Sequence, residues 1–87
     1  MSGAGLSGKL GFAEVEALLS RADALASTPA LDLSQVEQAD SAGFALLLEL
    51  TRKARAQGRS LTLTGASPRL RQLATFFGLD GILSFAA

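Results

Sequence analysis

Apolar residues recur along this chain in two rhythms, and the changes of rhythm mark its elements. Over Phe12 to Ala26, Val15, Leu18, Leu19, Ala22 and Leu25 fall at helical spacing, which predicts an amphipathic helix stopped by Thr28-Pro29. Ala30 to Ser34 alternates instead, with Leu31 and Leu33 on one face, and reads as a strand; Ser34 to Ala39 is polar and reads as a connection. Phe44 to Ala56 is a strongly apolar helix that closes at Gly58. Ser60 to Gly65 sets Leu61 and Leu63 against Thr62 and Thr64, a second clear strand. Ser67-Pro68 supplies an N-cap and a first-turn proline to a further helix, with Leu70, Leu73, Ala74 and Phe77 as its stripe and Gly78 as its end. The flanking pieces are shorter. Leu6 to Gly11 alternates between glycines and suggests a short or partial first strand within residues 1–11, and Leu79 to Phe85 reads as a turn plus strand or helical turn.

Strands alternating with helices predict an α/β fold: one small domain over residues 1–87, a mixed sheet of about four strands with three helices packed against it, open and mostly parallel. Leu31, Leu33, Leu47, Leu50, Leu61, Leu63, Leu73 and Phe77 are the expected core. Projected at helical pitch, Gly43, Leu47, Leu50 and Ala54 line the inner face of the central helix, with Leu46 and Thr51 beside them. Ala45, Glu49, Arg52 and Ala56 face away, and Phe44 and Leu48 fall at the edge.

Asp40-Ser41-Ala42-Gly43 stands where a strand hands over to that helix, a place suited to binding an anion or a partner. Ser41 has two readings. It is an N-cap for unpaired backbone N–H groups, with Asp40 favouring the helix dipole, or it is a modification site where a phosphate would add about −1.5 to −2 charges and remodel a docking surface. Gly43 costs a helix roughly 1 kcal/mol against alanine. Close packing on the preceding strand is the favoured compensation and approach of a partner the other. Asp40, Ser41, Phe44 and Leu48 are expected on one exposed ridge, a polar cap beside apolar anchors, contacting a protein partner.

Composition narrows the function. With 48% apolar and 18% charged residues the chain is a folded domain, and its net charge of zero gives no basic balance for nucleic acid. It has no cysteine and no histidine, which removes disulfides, thiolate chemistry and the usual zinc sites. Ser41 lacks a histidine base, and Lys53 lies some three turns along the helix. Asp32 and Asp40 near strand ends bring no third ligand or phosphate loop for magnesium. No cofactor or metal is implied, and the chain reads as a binding module. Arg52, Lys53, Arg55 and Arg59, joined by Arg69 and Arg71, read as a solvated face at a helix C-terminus rather than a lipid or phosphate site, because exposed aromatics do not interleave them. The start, Met1 to Gly5, lacks the regions of a signal peptide, and the longest apolar run, Phe44 to Leu48, is far short of a membrane span, so the expectation is a cytoplasmic protein.

Taken in order, Leu31-Asp32-Leu33-Ser34, Asp40-Ser41-Ala42-Gly43-Phe44, Gly58, Leu61-Thr62-Leu63-Thr64-Gly65, Leu70-Arg71-Gln72-Leu73 and Gly78-Leu79 resemble the STAS family over most of the chain from Ala30 onward. The family usually opens with a hairpin, for which only Leu6 to Leu10 remains here. The resemblance implies a non-catalytic protein-binding domain in which Asp32 and Gly43 belong to the structural motif and Ser41 occupies the position phosphorylated in antagonists of anti-sigma factors. Within the family the chain looks most like the small cytoplasmic subunit of the bacterial phospholipid ABC transporter that maintains outer-membrane lipid asymmetry. That likeness implies the transporter's ATPase as partner and a membrane reached only through the complex. The alternative it implies is an anti-sigma-factor antagonist, bound by a serine-kinase anti-sigma factor and switched at Ser41.

Overall fold

Strands and helical segments alternate along residues 4–86, the part of the chain that the computed structural model describes; residues 1–3 of the expected partial first strand lie outside it. β1 (Ala4–Leu10) leads into α1 (Phe12–Leu18), a 3-10 turn over Leu19–Arg21 and α2 (Ala22–Ala26). Then follow β2 (Ala30–Ala39), α3 (Ser41–Ala56), β3 (Thr62–Thr64), α4 (Pro68–Phe76) and β4 (Ser84–Phe85). The strands lie in the order β1-β2-β3-β4, and every ladder between them is parallel. The expected α/β sheet of about four strands is present, and its pairing is uniform rather than mixed.

Parallel neighbours need crossovers, and crossovers of one hand in a sheet that grows in one direction gather the helices on one face. Leu31, Leu33 and Leu63 point to that face and are almost wholly buried, together with Leu47 and Leu50 of α3, Leu25 of α2 and Ala74 of α4, in one core. The other face is polar: Asp32 and Ser84 are exposed, Thr62 and Thr64 half-buried. α3 ends as expected at Gly58, whose N–H reaches Arg55 O at 2.9 Å while that of Arg59 reaches Ala54 O at 3.0 Å, the Schellman pairing. Ser67 caps α4, accepting from the Leu70 N–H at 3.1 Å.

Several expectations are corrected. Ser34 to Ala39 is not a connection: β2 runs on through it to Ala39, paired with β1. The pairing slips twice, from Gly5↔Asp32 to Ser7↔Gln35 and from Gly8↔Val36 to Lys9↔Gln38, each time leaving an extra residue on β2. Hence Leu33 and Val36, three apart, are both buried, and the alternation that would betray a strand is broken. The single helix expected over Phe12 to Ala26 is interrupted at Leu19–Arg21, where the Ser20 hydroxyl donates to Ala17 O at 3.0 Å and the tighter 3-10 winding turns Leu19 out to 52% exposure. Of the expected core, Leu73 is half-buried and Phe77 is 42% exposed, because α4 ends at Phe76 and leaves Phe77 at its cap.

Thr51 lies on the inner stripe of α3, and its buried hydroxyl finds no hydrogen-bond partner. An unsatisfied buried polar group costs about 1–3 kcal/mol. Thr51→Val, which keeps the shape and removes the hydroxyl, is expected to raise stability by roughly 1 kcal/mol in urea unfolding; a lower midpoint would mean that the hydroxyl is satisfied in solution.

Candidate docking face at the start of α3

Asp40 forms the face's polar corner. Its backbone is extended, and its carboxylate Oδ1 accepts from the N–H groups of Ala42 at 2.9 Å and Gly43 at 3.2 Å. Asp40, not Ser41, is therefore the N-cap. Ser41 is the first residue inside the helix and is exposed, its hydroxyl left out of the cap. Asp40→Ala should cost about 0.5–2 kcal/mol of stability while Ser41→Ala costs almost nothing; equal melting temperatures for the two variants would contradict the assignment.

Gly43 explains how this corner is held. A Cβ there would overlap the carbonyl oxygen of Leu10 and sit 3.1 Å from the Leu10 Cβ. The same carbonyl accepts the Asp40 N–H at 3.3 Å. The packing that Gly43 permits is thus against the end of β1, not against the strand that precedes it in sequence. The start of α3 is pressed onto the end of the edge strand, and Ser41 is fixed on the outer side of that contact.

The expected ridge forms only in part. Asp40 and Ser41 are exposed and Leu48 is half-buried, but Phe44 is buried, at 1% exposure. The reason is its neighbour: Phe77 closes over that flank of α3, with ring centroids 5.3 Å apart. Phe44 therefore packs in the interior and does not stand on the expected exposed ridge.

Apolar surface is supplied instead by Phe12, Phe76 and Ile82, which helix periodicity did not single out, and by Leu19 and Phe77, which it had placed on inward stripes. On the α4 side, Phe76 is 82% exposed and lies edge-on to Phe77, ring centroids 5.7 Å apart; Ile82 is exposed as well. On the α1 side, Phe12 is 70% exposed and stands with Leu19 over a groove of about 270 Å³ between α1 and α3, floored by Val15, Ala42, Ala45 and Leu46 and walled by Glu16 and Glu49. Two hints were available. Phe76-Phe77 places two large aromatics where the stripe of a helix needs one, and Phe12 precedes a stripe that begins at Val15.

The charged residues are largely turned to internal use. Arg52 makes two bonds to Glu49, at 3.0 and 2.7 Å, which hold the Glu49 carboxyl below its ordinary value and push the guanidinium up. Lys53 pairs with Asp23 at 3.0 Å, Arg55 donates to Ile82 O, and Arg59 donates to Ala26 O. Arg71 stacks 5.7 Å from the Phe85 ring. The sequence-adjacent cations therefore fan out over different parts of the surface. Asp32 is remote from Asp40: eight residues of extended β2, roughly 25 Å, separate them, too far to share an ion. Its Oδ1 accepts the Ser34 N–H at 2.9 Å, which with the Ser34 hydroxyl lowers its pKa, and Gly65 leaves it room, since a Cβ there would lie 3.0 Å from that oxygen. Asp32 is thus a structural residue of the strand–turn contact. Among the described residues no cluster of ligands suits a metal and no helix is long and apolar enough to cross a membrane.

This architecture and the ordered motif meet a family model described as Mlab, STAS domain, which matches residues 5–84. The chain belongs to the STAS family. This STAS domain is 37% identical over 59 residues to the intermembrane phospholipid transport system binding protein MlaB of Escherichia coli (strain K12), and to the same degree to that of Shigella flexneri. The aligned segment covers 68% of the chain and 61% of each relative, so the chain spans about three fifths of the curated relatives it matches. The structure of the anti-sigma factor antagonist SpoIIAA in its unphosphorylated form superposes with a TM-score of 0.73, covering all of this chain and 83% of that one. At 21% identity that likeness speaks for the STAS fold.

Proposed function

We propose that this STAS domain is a non-catalytic, cytoplasmic subunit of a bacterial phospholipid ABC transporter, of the kind that maintains outer-membrane lipid asymmetry, and that it binds and regulates the transporter's ATPase. The similarity to MlaB across the motif region carries the reading. The geometry supplies a mechanism. Asp40 takes over the capping, so Ser41 is free to face a partner at the positive end of α3, flanked by Leu48 and exposed aromatic surface. Asp40, Ser41 and Leu48 make the contact, and Phe44 holds them in place from below. Binding there positions or restrains the ATPase by protein contact; no cofactor enters, and the membrane is reached through the complex.

A second reading rests on the exposure of Ser41 and on the SpoIIAA-like fold: an antagonist bound by a serine-kinase anti-sigma factor and switched by phosphorylation of Ser41. Purified chain titrated against the transporter's ATPase separates the two. Wild type and Ser41→Ala are expected to bind. Ser41→Glu, which sets a desolvated charge in the contact, is expected to bind about tenfold more weakly with an unchanged circular dichroism spectrum. No binding by wild type, together with phosphate transfer to Ser41 from a serine kinase, would establish the second reading instead.

A further inference from the structure

We propose that the groove between α1 and α3 receives a basic amphipathic segment of the partner, its apolar side chains against Phe12 and Leu19 and its lysines or arginines against Glu16 and Glu49. The proposal rests on the docking reading above and adds to it a second contact with its own chemistry.

The apolar half of the argument is exposure. Phe12 and Leu19 come from a helical stretch whose Val15, Ala22 and Leu25 are all buried, yet they are 70% and 52% exposed and stand beside the same groove. The opposite wall is kept low by Ala42 and Ala45, so the space between the helices is unfilled by this chain itself. Ala42 adjoins Ser41, which makes the groove continuous with the docking face.

The polar half is the sign of the rim. Glu16 walls the groove on the α1 side and Glu49 on the α3 side. At the Phe12 end two more carboxylates converge: a point above Gly11 lies 3.0 Å from Glu14 Oε1 and 3.2 Å from Asp40 Oδ2. Near these four stand Arg52, already doubly bonded to Glu49; Lys53, which pairs with Asp23 and whose charge also acts on Glu49; Arg21, which lines a neighbouring cleft with Glu14; and Lys9 near the strand ends. The groove itself is lined by two acidic residues and no basic one, so its rim carries a negative excess. It attracts a cationic segment and disfavours an acidic one or an anionic surface. The exposed rings of Phe76 and Phe77 line no part of this groove. They therefore serve as an internal control.

Two helical peptides of about 15 residues with the same leucine positions, one otherwise lysine and the other otherwise glutamate, are titrated into the ¹⁵N-labelled chain. The lysine peptide is expected to shift the amides of Phe12, Leu19, Ala42 and Ala45, more weakly as salt rises, and the glutamate peptide to leave them in place. Phe12→Ser, and separately Glu16→Lys, should weaken binding of the lysine peptide roughly tenfold and fivefold; both residues are exposed, so the fold is preserved. Equal binding of the two peptides, or shifts centred on Phe76, Phe77 and Ile82, would overturn the proposal. The ATPase titration is run on the same variants. If the lysine peptide binds the groove but wild type binds no ATPase, the groove stands and the transporter reading fails. If the ATPase binds, is weakened by Ser41→Glu and is indifferent to Phe12→Ser and Glu16→Lys, the transporter reading stands and the groove has no part in it.

Discussion

Gly43→Ala is expected to lower the melting temperature by roughly 8–16 °C. Two effects oppose each other. Alanine in place of glycine in an exposed helix would stabilise by about 1 kcal/mol. Here the added methyl would overlap the Leu10 carbonyl oxygen, a backbone atom at the end of a paired strand that cannot rotate away. Overpacking against flexible side chains costs about 1–3 kcal/mol, and displacing backbone lies at or above the top of that range. The clash wins, leaving about 2 kcal/mol of net loss, and each kcal/mol in a domain of this size moves the transition by about 4–8 °C. Thermal melts followed by circular dichroism decide it: Gly43→Ala at or above the wild-type temperature would mean that β1 does not meet α3 as described.

Leu47→Ala is expected to remove about 2–5 kcal/mol, the range for emptying a buried leucine site. Leu47 is completely buried beneath α3, and with Leu50 it faces Leu31 and Leu63 of the two central strands. A small domain has only about 5–15 kcal/mol in total, so this variant approaches unfolding at 37 °C. Leu48→Ala, one residue on but half-buried, should cost much less. Urea midpoints for the pair test the phase of α3; similar losses from both would show the helix turned from its described orientation.

The inner face of α3 was legible because Gly43, Leu47, Leu50 and Ala54 repeat at helical pitch within one long element, and all four are buried. Leu31, Leu33 and Leu63 were legible for the same reason at the strand period. What failed were positions fixed by contacts between elements. Ser34 to Ala39 joins β2 because β1 pairs with it, and the slip between Asp32 and Gln35 that lets Leu33 and Val36 both be buried leaves no local signature. Phe44 sits at the edge of its own helix, and only the arrival of Phe77 from thirty-three positions later buries it. Ser41 and Asp40 are both acceptable caps by type, and geometry chose the carboxylate. Of the residues expected on the ridge, Asp40 and Ser41 are exposed and Phe44 is not, while Phe12, Leu19 and Phe76 owe their exposure to a 3-10 turn and to helix ends.

The strand order β1-β2-β3-β4 has a consequence for where such a protein can bind anything. Nucleotide-binding α/β sheets wind outward in both directions from an interior strand. Where the winding reverses, two neighbouring loops part company and open a cleft above the strand ends. This sheet winds one way from first strand to last and has no reversal, so the fold never splits open at its rim. What it offers a partner is a ridge of helix and the valleys beside it. A domain built this way is suited to lying against the surface of another protein, not to enclosing a small ligand at its strand ends.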